Sequence, residues 1–283
     1  YDNMLPCTRA SDILDAYDRA RCETETSMGN YREQEWWGKR EDKDIYGKLF
    51  LPEGLEDGRP RATAVFSHGL STNRGDMEPY ARTAAANGMV TYVFDFCGSG
   101  QYSSSSEQPG GMSLFTEQHD LESVAWELSR EPYVDENNLF LMGSSLGASI
   151  TLMAARANAD LVRGVVLLYP AFNLYDAVHA ACPSRELLPD SFKVMSTMVS
   201  KAFLCSCWDY NFYDHIGAFP RDVLLFHGDA DDNVPLSYSQ RAAEIFPNAE
   251  LHVIEGGKHG FKEPAYSEVV NISTDWLLAH INK

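Results

Sequence analysis

The sequence predicts an α/β fold, with a mostly parallel central sheet of about eight strands flanked by helices. Three observations lead there. Short apolar runs alternate with helical patterns from residue 62 onward, the runs are apolar almost throughout, and one of them ends in a glycine-bracketed serine. The strand candidates are 62–67, 89–95, 138–142, 162–169, 223–227 and 251–255. Near-continuous Val, Ile, Leu and Phe content is what burial on both faces requires, and strands buried that way pair in parallel. Helical stretches fall between them at 77–87, 114–130, 146–158, 237–246 and 265–281. Repeated strand–helix alternation implies a doubly wound sheet.

Two alternating strands come earlier, near 31–37 and 44–51, and a turn-rich connection (EGLEDGRPR, 53–61) follows them. They read as an antiparallel entry to the sheet. Residues 1–30 form an N-terminal extension with one amphipathic helix candidate, 11–21, capped by Ser11 and without a functional reading. A domain then runs over 31–283. Inside it, 171–220 breaks the rhythm, with aromatics and methionines at irregular spacing and no clean strand. A helical or irregular insertion of that length is usually functional. It follows one central strand and precedes the next, where a lid over the carboxyl edge of the sheet belongs. A packed helical excursion is the alternative.

Composition narrows the partners. The net charge of −18 disfavours nucleic acid and anionic membrane surfaces, both of which call for basic protein surface, and suits a neutral small molecule. No run approaches the roughly 18 apolar residues of a membrane-spanning helix. The acidic first thirty residues do not read as a signal peptide, although a leader removed before Tyr1 is compatible with the sequence. Six scattered cysteines make no disulfide framework and favour a cytoplasmic setting weakly. Oligomeric state is not legible. No metal or nucleotide cofactor is implied, since neither a His-Glu-x-x-His run, a phosphate-binding loop nor a dinucleotide fingerprint occurs.

The chemistry centres on Gly143-Ser144-Ser145-Leu146-Gly147, a G-x-S-x-G elbow set between a strand and a helix. Glycines are needed because the nucleophile sits in a strained turn with no room for side chains beside it. Ser145 has the right spacing and Ser144 does not. Such a serine needs a base and an orienting acid, which in the α/β-hydrolase order follow as Asp or Glu and then His. His259 lies in a loop past the last strand and is the base candidate; His252 and His280 read as structural or exposed. Of Asp229, Asp231 and Asp232, Asp231 is the acid candidate and the other two read as turn formers or surface charges. The backbone N–H groups of Leu70 and Leu146 are the expected oxyanion donors. His68 reads as structural.

The chain resembles the cinnamoyl and feruloyl esterases of gut and rumen bacteria, within the α/β-hydrolase superfamily. The likeness runs from about Tyr31 to the C-terminus. It rests on YGKLFLP (46–52), SHG (67–69), FDFCGSG (94–100), the elbow, the G-x-x-D-x-x-V-P loop (228–235) and IEGGKHGF (254–261). The resemblance implies a serine esterase that forms an acyl-enzyme, a catalytic Asp231, and hydroxycinnamoyl esters as substrates. It also implies contact between Asp176 and a phenol hydroxyl. Tyr175, Phe172 and Trp208 are aromatic candidates for the acyl pocket, with core packing as the alternative for each. Two departures stand out: Ser-Ser-Leu-Gly replaces the family's frequent His-Ser-Gln-Gly, and the insertion after Pro170 shows little similarity. A general short-chain acyl esterase, a thioesterase or a small-peptide hydrolase is the other enzymatic reading, and a non-catalytic binding protein the remaining one.

Overall fold

A computed structural model describes residues 31–282 except 101, 102 and 108. The expected extension and its helix, and with them Cys7 and Cys22, lie outside the described residues. In chain order the elements are β1 (Tyr31–Arg40), β2 (Lys43–Pro52), β3 (Arg61–Ser67), α1 (Glu78–Ala86), β4 (Val90–Phe94), α2 (Leu114–Leu128), β5 (Val134–Ser144), α3 (Leu146–Ala157) and β6 (Val162–Leu168). There follow α4 (Leu174–Ala181), β7 (Ser191–Val194), β8 (Thr197–Ser200), α5 (Lys201–Asp209), β9 (Asp222–Gly228), α6 (Ser237–Ile245), β10 (Ala249–Ile254) and α7 (Ala265–Ala279).

Eight strands form one sheet in the order β1-β2-β4-β3-β5-β6-β9-β10. β1 and β2 are antiparallel to each other, β2 is antiparallel to β4, and the remaining pairs are parallel. The period-2 geometry of a strand explains why the apolar runs are continuous. Val65, Leu139, Leu141, Val165, Leu167, Val223 and Leu225 join one core with α2, α3 and the insertion. Their neighbours Phe66, Phe140, Met142, Val166, Leu168, Leu224 and Phe226 join a second core with α1 and α7. The middle of each of these strands is therefore apolar at successive positions, with buried polar residues such as Thr63, Ser67 and His227 nearer the ends.

The order of the strands fixes where a ligand can sit. β4 lies on one side of β3 and β5 on the other. The chain reverses direction across the sheet there, opening a crevice beyond the carboxyl ends of β3 and β5.

The insertion departs from expectation. It contains a two-stranded hairpin, β7–β8, in register Phe192 with Val199 and Lys193 with Met198, besides the helices α4 and α5. The turn places Met195 at φ 53°. Glycine or asparagine is the usual marker of such a turn, and a methionine there hides it. The hairpin packs over the loop after β3, where the Ser71 hydroxyl donates to the Val194 carbonyl at 3.4 Å. It also packs on Gly110, whose Cβ, if present, would lie 2.5 Å from the Met198 carbonyl oxygen.

Candidate active site

Ser145 stands between the end of β5 and the start of α3, with φ 52° and ψ −118°. A non-glycine residue held there costs on the order of 1–3 kcal/mol, sustained by the packing around it. The neighbouring glycines show why the turn tolerates nothing larger. A Cβ on Gly147 would lie 2.2 Å from the His68 carbonyl oxygen, and one on Gly143 would lie 2.5 Å from that of Gly147. The Ser145 N–H donates to the Leu168 carbonyl at 2.9 Å, tying the turn to β6.

His259 approaches from the loop after β10. Its Nδ1 lies 2.8 Å from Asp231 Oδ2 and its Nε2 lies 2.8 Å from Ser145 Oγ. An ionised carboxylate only accepts, so Nδ1 carries the proton, and Nε2 accepts from the serine hydroxyl. Asp231 is fixed in turn, its Oδ1 accepting the N–H groups of Asn233 at 2.8 Å and Val234 at 2.9 Å. Burial alone would raise its pKa. Hydrogen bonds from His227, His259 and the Val234 backbone outweigh that and hold the carboxyl well below its ordinary value.

The loops that carry Asp231 and His259 are locked together. Gly228 and Gly257 meet backbone to backbone, where a Cβ on Gly228 would lie 2.0 Å from the Gly257 carbonyl oxygen. That same carbonyl accepts the Ala230 N–H at 2.9 Å. Asp229 accepts the Gly256 N–H at 2.7 Å, bracing the two loops, while the exposed Asp232 faces Lys258 at 3.9 Å. His227 went unnoticed in the sequence although it directly precedes the acid loop. Its Nε2 donates to the Val234 carbonyl at 2.8 Å and lies 3.3 Å from Asp231 Oδ2.

Leu146 opens α3, and the first N–H of a helix has no acceptor within the helix. Leu70 follows Gly69, whose Cβ position lies 3.2 Å from the Ser145 Cβ, so this loop runs directly beside the elbow. His68 is buried, with Nδ1 2.8 Å from the Gly69 carbonyl and Nε2 accepting the Phe96 N–H at 3.2 Å. Both of its nitrogens are spent on backbone, and burial lowers its pKa.

The four pocket candidates fall at three places around α4 and α5. Phe172 is 1% exposed and packs on Phe212 and Tyr213, inside the core. Tyr175 and Trp208 come together on either side of His179, at ring separations of 4.0 and 3.8 Å. Asp176 accepts a hydrogen bond from the Tyr238 hydroxyl at 2.9 Å. A cleft of about 180 Å³ lies between the loop after β3 and the hairpin, lined by Ser71, Thr72, Ser196, Thr197 and Met198 among others. Among the described residues no group of His, Cys, Asp or Glu could hold a metal ion, no helix is long and apolar enough to cross a membrane, and the four cysteines are free.

A model of the prolyl oligopeptidase family matches residues 77–283. The chain belongs to that family. As a family member it shares the α/β-hydrolase fold with Est1E from Butyrivibrio proteoclasticus, solved with ferulic acid bound, at a TM-score of 0.79 and 19% identity, covering 88% of this chain and 100% of the other. A Mycobacterium tuberculosis protein described as a phosphoribosyl transferase is 25% identical over 84% of this chain and 44% of its own length. A monkeypox virus monoglyceride lipase homolog is 27% identical over 65% of this chain and 62% of its own. This prolyl oligopeptidase family chain thus spans less than half of the mycobacterial protein and under two thirds of the viral one.

Proposed function

We propose that this chain hydrolyses carboxylic esters through an acyl-enzyme on Ser145. The observation that carries the reading is the unbroken hydrogen-bond chain from Ser145 Oγ through His259 to Asp231, with 2.8 Å at each link. In this reading Ser145 Oγ attacks the ester carbonyl while His259 Nε2 takes its proton, and Asp231 stabilises the imidazolium that results. The carbonyl oxygen becomes an oxyanion held by the Leu70 and Leu146 N–H groups, each worth on the order of 3–4 kcal/mol at the transition state. Collapse expels the alcohol, which takes the proton from His259. Water, deprotonated by the same imidazole, then releases the acid.

For the acyl group we favour a hydroxycinnamate. The sequence motifs and the likeness to a protein solved with ferulic acid support this, and Asp176 and the Tyr175–His179–Trp208 stack lie on the insertion that would face the ring. A small-peptide or short-acyl hydrolase is the second reading, favoured by the family match itself.

Two measurements test these levels separately. A fluorophosphonate probe should label the wild type and not Ser145→Ala, whose kcat should fall by about 10⁶. Absence of labelling at Ser145 overturns the hydrolase reading. Comparison of kcat/KM on methyl ferulate with that on short acyl p-nitrophenyl esters tests the acyl group, and a hundredfold advantage for the short esters overturns the hydroxycinnamate.

A further inference from the structure

Tyr169 stands where β6 leaves the sheet, and the ester mechanism above does not use it. Its backbone holds φ 37°, a conformation that a bulky side chain adopts only under constraint. The constraint is visible. The Tyr169 N–H donates to the Phe226 carbonyl at 2.7 Å, and the carbonyl of the preceding residue, Leu168, accepts the Ser145 N–H at 2.9 Å. Two residues later the Ala171 N–H donates to the Ser145 carbonyl at 3.1 Å. The turn is bonded to the backbone of Ser145 on both sides. Glycine would fit this φ without cost, so a tyrosine here points to a use for the ring.

That ring meets the imidazole of His259 at 4.9 Å between centroids, with the planes 63° apart. It also meets Phe261 edge-on at 5.1 Å. One side chain therefore packs on the imidazole hydrogen-bonded to Ser145, from a turn whose backbone is itself bonded to that of Ser145. We infer that Tyr169 is a positioning residue for His259. The inference rests on the hydrolase reading of the site.

The physical need is specific. Hydrogen bonds at Nε2 and Nδ1 fix the line joining the two nitrogens and leave the ring free to roll about it. An aromatic neighbour packed against the imidazole removes that freedom. The contact matters most once Ser145 is acylated, because the serine hydroxyl no longer donates to Nε2. Asp231 and Tyr169 then hold the imidazole while it draws a proton from water.

Three variants separate ring, hydroxyl and backbone. Tyr169→Phe keeps the ring and should stay within about threefold of wild-type kcat. Tyr169→Leu should lose about 10- to 100-fold in kcat, with KM within about threefold, because small displacements of a reacting group cost rates of that size. Tyr169→Gly relieves the backbone and should fall as far as the leucine variant. Full kcat in both the leucine and glycine variants overturns the inference. Ring signals of His259, identified by their absence in His259→Gln, should shift in the leucine variant and hold in the phenylalanine variant of folded protein. Unchanged signals in Tyr169→Leu likewise overturn it. The spectra need no turnover, so a wild type that hydrolyses no ester would sink the hydrolase reading while leaving this contact open to test.

Discussion

At the scale of single residues, the site is governed by what each atom can still donate or accept. Asp231 spends Oδ1 on two backbone N–H groups and Oδ2 on His259, which fixes the proton on Nδ1 and frees Nε2 to accept. Asp231→Asn keeps the Oδ1 contacts yet removes the charge that an imidazolium needs. Its kcat on a neutral ester should fall by about 10⁴ with little change in KM, as measured by steady-state kinetics. Residues of this kind were legible in the sequence because the chemistry prescribes their types and their order. Ser145, Asp231 and His259 were each found in a loop directly after a strand, and the structure brings them into hydrogen-bond contact. Tyr169 and His227 were not legible. Tyr169 meets Phe226 and His259 across strands distant in sequence, whereas His227 contacts Asp231 and Val234 of the adjoining loop and was read only as the end of a buried strand.

At the scale of elements, the parallel sheet was legible because strands buried on both faces are mostly apolar along their length. The hairpin of the insertion was hidden, its four-residue strands being too short for periodicity and its turn built on Met195. Helix α2 shows a different cost. It carries Glu117 and Asp120 on its buried face, and Asp120 accepts from Arg40 Nε at 2.5 Å and from the Cys97 N–H at 2.9 Å. Burial nevertheless pushes its carboxyl up to about 6, and pushes that of Glu117 up as well. A carboxyl that binds its proton more tightly when folded destabilises the fold as it ionises. The Asp120 contribution is therefore favourable below about pH 4 and is lost as pH rises to about 6. Melting temperatures of wild type and Asp120→Asn, followed from pH 4 to 7, should show the wild type losing ground to the variant across that window. A gap independent of pH would contradict the assignment.

At the scale of the whole molecule, the charge of −18 governs how substrates of the proposed ester hydrolysis arrive. Neutral esters should show a kcat/KM nearly independent of ionic strength. Anionic esters should be slow at low salt and recover as salt screens the repulsion, and stopped-flow or steady-state rates between 0.01 and 0.3 M salt, a range over which the screening length falls from about 30 Å to below 8 Å, would reveal the difference. The same field favours departure of an acidic product.

His259 lies 114 residues after the serine it contacts. Gly228 and Gly257 join the loops of acid and base only once β9 and β10 have paired. A chain emerging from the ribosome exposes the elbow first and lacks its base until nearly the whole sheet has been made. On the proposed reading Ser145 is an ordinary alcohol throughout synthesis, and its activation is a late event that reports completion of the fold.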